Sequence, residues 1–139
     1  MTHRTLFVAG VPQPQGSMRA FNNPRGGQPI VTSDNPKNKI WRTVVGYAFQ
    51  QEFQAVAAGP VTLRLVFVMP RPKAMPKSKT PPHTSRPDLD KLCRSIFDAG
   101  SKVVWADDTN IDTVSMRKRY ALPGEQSGAH ITIEIGQEP

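Results

Sequence analysis

Six of the eleven carboxylates in this 139-residue chain fall within one short stretch: Asp88, Asp90, Asp98, Asp107, Asp108 and Asp112. The chain as a whole is basic, with 18 Lys and Arg side chains and a formal charge of +7. Crowding like charges is unfavourable unless a cation neutralises them. Hard divalent ions such as Mg²⁺ prefer carboxylate oxygens and leave part of their shell to water and substrate phosphate. A basic body that attracts a polyanion, built around an acidic pocket for a metal ion, suits metal-assisted phosphodiester hydrolysis.

Two segments hold most of these groups. In Ser85-Arg86-Pro87-Asp88-Leu89-Asp90-Lys91, two aspartates flank one leucine where a helix is expected to begin. While the backbone is still extended, Asp88 and Asp90 project to the same side and Leu89 turns inward. The structural alternative makes Asp88 an N-cap and Asp90 a first-turn charge on the helix dipole. Trp105-Ala106-Asp107-Asp108-Thr109-Asn110 allows a similar pair of readings. Asp and Asn side chains bond their own backbone in turns, so the run is either a plain turn or a metal-facing acid pair. Local turn chemistry explains either segment alone more comfortably than both together.

The elements that must position these segments follow from periodicity. Residues 4–9 read as a short strand, and residues 10–29 are too rich in Gly and Pro for long regular structure. Asn35 and Pro36 make a helix start, as N-cap and first helical residue. Trp41, Val44, Val45, Ala48, Phe49, Phe53 and Val56 then recur at helical spacing for about five turns. Gly59-Pro60 ends the run. Val61, Leu63, Leu65, Phe67 and Met69 share one face of a strand at 61–69. A second helix is expected at 88–98, burying Leu89, Leu92, Cys93, Ile96 and Phe97 and exposing Lys91, Arg94, Ser95 and Asp98. Strands at 111–121 and 129–135, joined by a turn at 123–128, read as a hairpin. The order β-α-β-α-β-β makes residues 1–139 a single α+β domain, one mixed β-sheet with two helices packed on it.

Composition narrows the setting. One cysteine excludes an intrachain disulfide framework and suits a reducing, cytoplasmic compartment, bacterial or in a phage-infected host. Cys93, His3, His83 and His130 lie singly, without the close pairs that zinc sites use. The longest apolar stretch, at 61–69, is interrupted by Thr62 and Arg64 and falls far short of the roughly 20 residues that span a bilayer. The N-terminus has neither an apolar segment of signal-peptide length nor a clear cleavage site. The positive charge therefore points to nucleic acid, with no membrane partner.

Candidate phosphate contacts cluster in residues 70–87, which hold six of the fourteen prolines together with Arg71, Lys73, Lys77, Lys79 and Arg86. This segment should be an extended, solvated loop, either a DNA-contacting arm or plain surface. Arg117-Lys118-Arg119 either meets phosphates or blunts an exposed edge strand. Ser17 and Arg19 sit in a glycine-flanked loop that could approach the substrate. His83 reads as a loop residue rather than a general base, and Cys93 as core. Trp105 reads as packed beneath the acidic loop, with stacking on an opened base as the alternative.

Taken in order, Pro87-Asp88-Leu89-Asp90-Lys91-Leu92, Arg94, Phe97-Asp98-Ala99 and Trp105-Ala106-Asp107-Asp108 resemble the RusA family of Holliday-junction resolvases. That family opens a helix with Asp-x-Asp-Asn, places a lysine one turn further on, and follows with Trp-x-Asp-Asp. Val11-Pro12-Gln13-Pro14-Gln15-Gly16-Ser17 resembles its phage-encoded members. The resemblance implies Asp88, Asp90 and Asp108 as metal-binding carboxylates and Asp107 as an accessory acid. The implied ion is Mg²⁺, with Mn²⁺ as a substitute, and the implied substrate is branched DNA, a four-way junction. A homodimer making two coordinated nicks with ligatable ends is implied too, and the long first helix and the 61–69 strand carry apolar side chains enough for an interface. Two positions depart from the family pattern. Lys91 stands at its asparagine, and Arg94 at its catalytic lysine. Arginine stabilises anionic charge but does not release a proton near neutral pH, which leaves Lys91 as a mobile cation. Two other classes compete. A restriction-type nuclease needs an acidic-x-Lys motif after Pro-Asp, and nothing after Asp98, Asp107 or Asp108 supplies the lysine. A non-catalytic basic DNA-binding module would use the same charge without any metal ion.

Overall fold

The computed structural model describes residues 2–16, 18–33 and 36–137, without the side chains of 18–21 and 30–33. Asn35, the expected N-cap, lies outside the described residues, as do Ser17 and the side chain of Arg19. The elements are β1 (Thr2–Ala9), β2 (Met18–Phe21), β3 (Ile30–Ser33), α1 (Pro36–Glu52), β4 (Val61–Met69), α2 (Leu89–Gly100), a 3-10 turn (Asp108–Asn110), β5 (Ile111–Tyr120) and β6 (Gly128–Ile135). The main sheet has the order β1-β6-β4-β5, with β2 and β3 paired separately. Within it β4 and β5 run parallel, and the other neighbours are antiparallel. This is the expected mixed sheet with two helices, plus one small hairpin inside the Gly/Pro-rich stretch.

The core forms where the α1 residues Trp41, Val45 and Phe49 and the α2 residues Leu92 and Ile96 meet Leu63, Leu65, Phe67, Ile131 and Ile133 of the sheet. Val61, Leu63, Leu65, Phe67 and Met69 are all buried, as their alternation requires. Val68, on the opposite face, is buried as well. Burial on both faces marks an internal strand.

That burial corrects the expected hairpin. The turn before Gly128 does connect β5 to β6, yet β4 lies between them, parallel to β5 and antiparallel to β6. The apolar run Leu65-Val66-Phe67-Val68-Met69 is best covered in an internal position, and β5 reaches its parallel partner through the α2 crossover. α1 ends at Glu52, so Val56 falls beyond it and is exposed. Among the described residues no helix is long and apolar enough to cross a membrane.

Ser95 also departs from expectation, being fully buried rather than on the outer side of α2. Its hydroxyl accepts from Asn38 Nδ2 at 2.6 Å and donates to the Gln13 carbonyl at 2.8 Å. The sheet covers α2 from one side and α1 from another, so its buried arc is wider than a single stripe. Cys93 is core as expected, and burial pushes its thiol up to about 11, far from a reactive thiolate. Trp105 is fully buried, edge-on to Phe49 with ring centroids 6.1 Å apart. It packs so closely on Gly100 that a Cβ there would collide with the indole. The acidic loop after Trp105 is thereby fixed against the C-terminal end of α2.

Candidate active site

Helix α2 carries the first acidic segment. Asp88 is its N-cap by backbone, extended at φ −67° and ψ 139°, and its carbonyl accepts the Leu92 N–H at 3.1 Å. Its carboxylate makes no capping bond. The side chain is therefore not spent on the helix start, and it is exposed. Asp90 lies exposed in the first turn, where the positive end of the helix dipole favours it. Lys118 on β5 fixes the approach to this turn, its Nζ donating to the carbonyls of Ser85 at 2.6 Å and Pro87 at 2.9 Å.

The second segment divides its labour between adjacent aspartates. Asp107 builds the turn: its carboxylate accepts the Thr109 N–H at 3.0 Å, and Asn110 Oδ1 accepts the Asp107 N–H at 3.2 Å. This is a reciprocal capping box. Asn110 also donates to the Ala58 carbonyl at 2.9 Å, tying the turn to the chain before β4. Asp108 faces the helix instead. Its Oδ1 accepts the Ser101 hydroxyl at 2.6 Å, and its Oδ2 lies 3.2 Å from Arg94 Nη1. Turn chemistry thus accounts for Asp107 and leaves Asp108 free to meet α2.

Asp98 joins this group. It sits one turn beyond Arg94, the i to i+4 relation that brings side chains together on a helix. Burial raises its carboxyl pKa and the Asp108 charge adds to that, with Arg42 and Arg94 opposing. Ser101 is absent from the sequence-based site, and Asp98 entered it only as one of the six clustered carboxylates, without a role of its own. The helical spacing from Arg94 to Asp98 was a usable signal, whereas nothing in the sequence marked Ser101 as a partner of Asp108. Asp112 lies outside the group, exposed, accepting a bond from its neighbour Thr113.

The electrostatics at this end of α2 suit a cation. The C-terminus of a helix carries partial negative charge, and the last turn of α2 contains no basic residue. Asp98 and Asp108 add to that charge, countered by the arginines. Among the described residues no three His, Cys, Asp or Glu side chains stand together as a metal site. Mg²⁺ asks less than that of a protein, commonly one or two carboxylates, with water and substrate phosphate completing the shell. Asp108 with Asp98 beside it fits such an ion once Arg94 yields its place, whereas Asp88 and Asp90 stand at the opposite end of α2 and are not brought to this pair. The Arg94 side chain is 53% exposed and is free to move aside.

The expected phosphate contacts fall into two groups. Lys73, Lys77, Lys79, Arg86 and Arg117 are exposed. Arg71 is turned inward upon its own loop, donating to Thr80 at 2.8 Å, to the Pro76 and Lys79 carbonyls at 2.5 Å each, and to Ala121 at 3.2 Å. The 70–87 loop is exposed as expected, but it is folded around this guanidinium rather than extended. Arg119 pairs with Glu125 through two bonds of 2.7 and 2.8 Å, and Lys118 is engaged as described. β5 is the edge strand that the Arg117-Lys118-Arg119 run suggested. His83 packs on Tyr120 with centroids 4.4 Å apart, and burial followed by the Lys118 charge lowers its pKa.

The family profile described as Endodeoxyribonuclease RusA matches residues 10–135. A curated relative, the uncharacterized protein YqaN of Bacillus subtilis (strain 168), is 26% identical over 124 residues, covering 82% of this chain and 85% of its own length. The matched span takes in both aspartate segments, α2 and every strand of the main sheet but β1, and on that footing the chain belongs to the RusA family of Holliday-junction endodeoxyribonucleases.

Proposed function

We propose that this endodeoxyribonuclease resolves four-way DNA junctions with Mg²⁺ as its ion, hydrolysing one phosphodiester on each of two opposing strands as a homodimer, in recombination and repair. The observation that carries the proposal is the linkage of Arg94, Asp108 and Ser101 at the C-terminal end of α2. It joins an oriented carboxylate to a mobile guanidinium on the surface of a basic protein.

Asp108 would hold the metal, with Asp88 and Asp90, at the other end of α2, as the further ligands that the family pattern implies and Asp107 as an accessory acid that also builds the turn. When bound, magnesium supplies Lewis-acid polarisation of the phosphodiester and of the attacking water. Ser101 keeps Asp108 oriented through its short hydroxyl bond. Arg94 moves from Asp108 to the phosphate and stabilises the charge that gathers there, a task suited to its planar donors. Lys91, half-buried one turn before Arg94, supplies a second cation.

Lys73, Lys77, Lys79, Arg86 and Arg117 contact the phosphates of the junction arms. Arg71, Lys118 and Arg119 contribute by shaping the loop and the edge strand that present them. The interface between subunits draws on the exposed apolar row Ile40, Val44 and Tyr47 of α1. β4 is internal and does not take part.

Labelled four-way junctions, flaps and linear duplexes, each with and without Mg²⁺, provide the test. Junctions should be cut in preference to duplex and only with the ion. Asp90→Asn and Asp108→Asn should bind junctions at least as well as the wild type, having lost a charge that repels phosphate, and should fail to cut. A protein that binds junctions yet cuts none in Mg²⁺ or Mn²⁺ is a non-catalytic binding module.

A further inference from the structure

Beside α2 lies a cleft of about 350 Å³ whose rim carries Asp90, Lys91 and Arg94 of the mechanism above, and whose apolar floor that mechanism leaves unused. Phe97 of α2 lines it together with Val114 and Met116 of β5, and Lys91, Arg94, Gln15 and the Asp90 carboxylate stand around it. In the sheet Val114 is in register with Leu63 and Met116 with Leu65, so both project to the same face as the buried core. The helices stop short of them, and each is 38% exposed. Gln15 is held at the wall by its own backbone, whose N–H donates to the Lys91 carbonyl at 3.0 Å. Its side-chain amide is left with both donor and acceptor capacity.

The order of side chains along α2 carries chemical information. Lys91, Arg94 and Phe97 recur every three residues, each about 4.5 Å further along the helix axis. Two cations thus lead to an aromatic ring above an apolar floor. A free anion would have no use for the floor, and an apolar peptide or acyl chain none for the cations. A nucleotide needs both, having an anionic phosphate joined through one sugar to a flat, weakly polar base. The volume lies at the lower end of the roughly 300–1,000 Å³ usual for small-molecule clefts.

We propose that this cleft receives an unstacked nucleobase adjoining the phosphate that is cut, seated on Phe97, Val114 and Met116, with Gln15 reading its edge. The proposal rests on the resolvase reading and adds to it a base-recognition subsite. Base stacking on an aromatic side chain tolerates any base, whereas an amide at the edge discriminates among them. The cleft therefore gives both grip on an opened strand at the branch and a preference for the base there.

A two-by-two cycle on the full-length protein tests it. The junction carries either its normal nucleotide or a single abasic site beside the mapped cut, and each form is treated with wild type and with Met116→Glu, an exposed edge-strand position. The abasic site should slow the wild type about tenfold. Met116→Glu should slow cutting of the intact junction by a similar factor, and on the abasic junction it should cut as fast as the wild type does. Losses that multiply, or an abasic site without effect, overturn the proposal. Val114→Glu is measured in parallel, with thermal unfolding and sedimentation of both variants. If the substitutions abolish subunit association instead of base dependence, the patch is a contact with a second copy and the proposal fails. Absence of cutting by the wild type on the intact junction, in Mg²⁺ or Mn²⁺, refutes the resolvase reading and the subsite with it, a result distinct from loss of coupling.

Discussion

Arg94 Nη1 stands 3.2 Å from Oδ2 of Asp108, joining the middle of α2 to the turn that precedes β5. Both side chains are partly exposed, so as a mere surface ion pair this contact would contribute little to stability. On the proposed function, its value lies in placing a guanidinium where phosphate and metal ion would meet. Arg94→Ala should slow single-turnover junction cleavage by roughly 10²–10³-fold, the usual cost of removing one transition-state donor. Junction affinity should stay within a few-fold, and Arg94→Lys should recover much of the rate. Wild-type cleavage by Arg94→Ala would reduce the pair to a surface bridge.

In the proposed mechanism Ser101 acts through its bond to Asp108 rather than on the substrate, which makes it a positioning residue. Removing a group that orients a metal-binding carboxylate typically costs about 10–100-fold in metal affinity or activity. Ser101→Ala should therefore raise the Mg²⁺ concentration needed for half-maximal cutting, with thermal stability little changed and Ser101→Thr restoring the midpoint. An unmoved Mg²⁺ midpoint would separate Ser101 from the ion.

Ser95 and Asn38 form the buried polar contact between the two helices. Ser95→Ala leaves the Asn38 amide without this acceptor, at a cost of about 1–3 kcal/mol. Urea unfolding should show a lower midpoint at constant slope, and adding Asn38→Leu should recover part of the loss. Full additivity of the two substitutions would mean that the contact carries no coupling.

Acid stability should depend on Glu125. Hydrogen bonds from Arg119, and then from the Leu122 amide, hold its carboxyl at about 2, below the ordinary 4.5. A depressed folded-state pKa gives stability that is full above the unfolded value and lost as pH falls through the folded one. Wild type should therefore be more stable than Glu125→Gln at neutral pH, with the gap closing between about 4.5 and 2. A gap independent of pH would show that the Glu125 charge has no part in it.

Local patterns carried much of this fold into the sequence. The alternation from Val61 to Met69 and the stripe from Leu92 to Ile96 each correspond to buried faces. Strand partnership was less legible because it is set by distant residues. A short turn before Gly128 looks the same whether its strands pair or admit β4 between them. The uninterrupted apolar run at 65–69 was the one available sign of an internal strand. The burial of Ser95 likewise depends on α1 crossing beside it, which no periodicity within α2 can report. At the site, motif spacing singled out the two aspartate segments. The split between Asp107, which caps the turn, and Asp108, which faces Arg94 and Ser101, depends on the direction of the 3-10 turn and emerged only from the fold.

Cleavage of a supercoiled plasmid that extrudes a cruciform tests the central claim most directly. Resolution of both strands in one encounter requires two sites on one two-fold particle, matching the symmetry of the junction. With Mg²⁺ the account expects linear product without a build-up of nicked circle, no product when the ion is chelated, and none with Asp108→Asn. Nicked circle accumulating ahead of linear, released by a protein that sediments as a monomer on DNA, would contradict paired resolution. Cutting that persists with every divalent ion removed would contradict the assignment of Asp108 as a metal ligand.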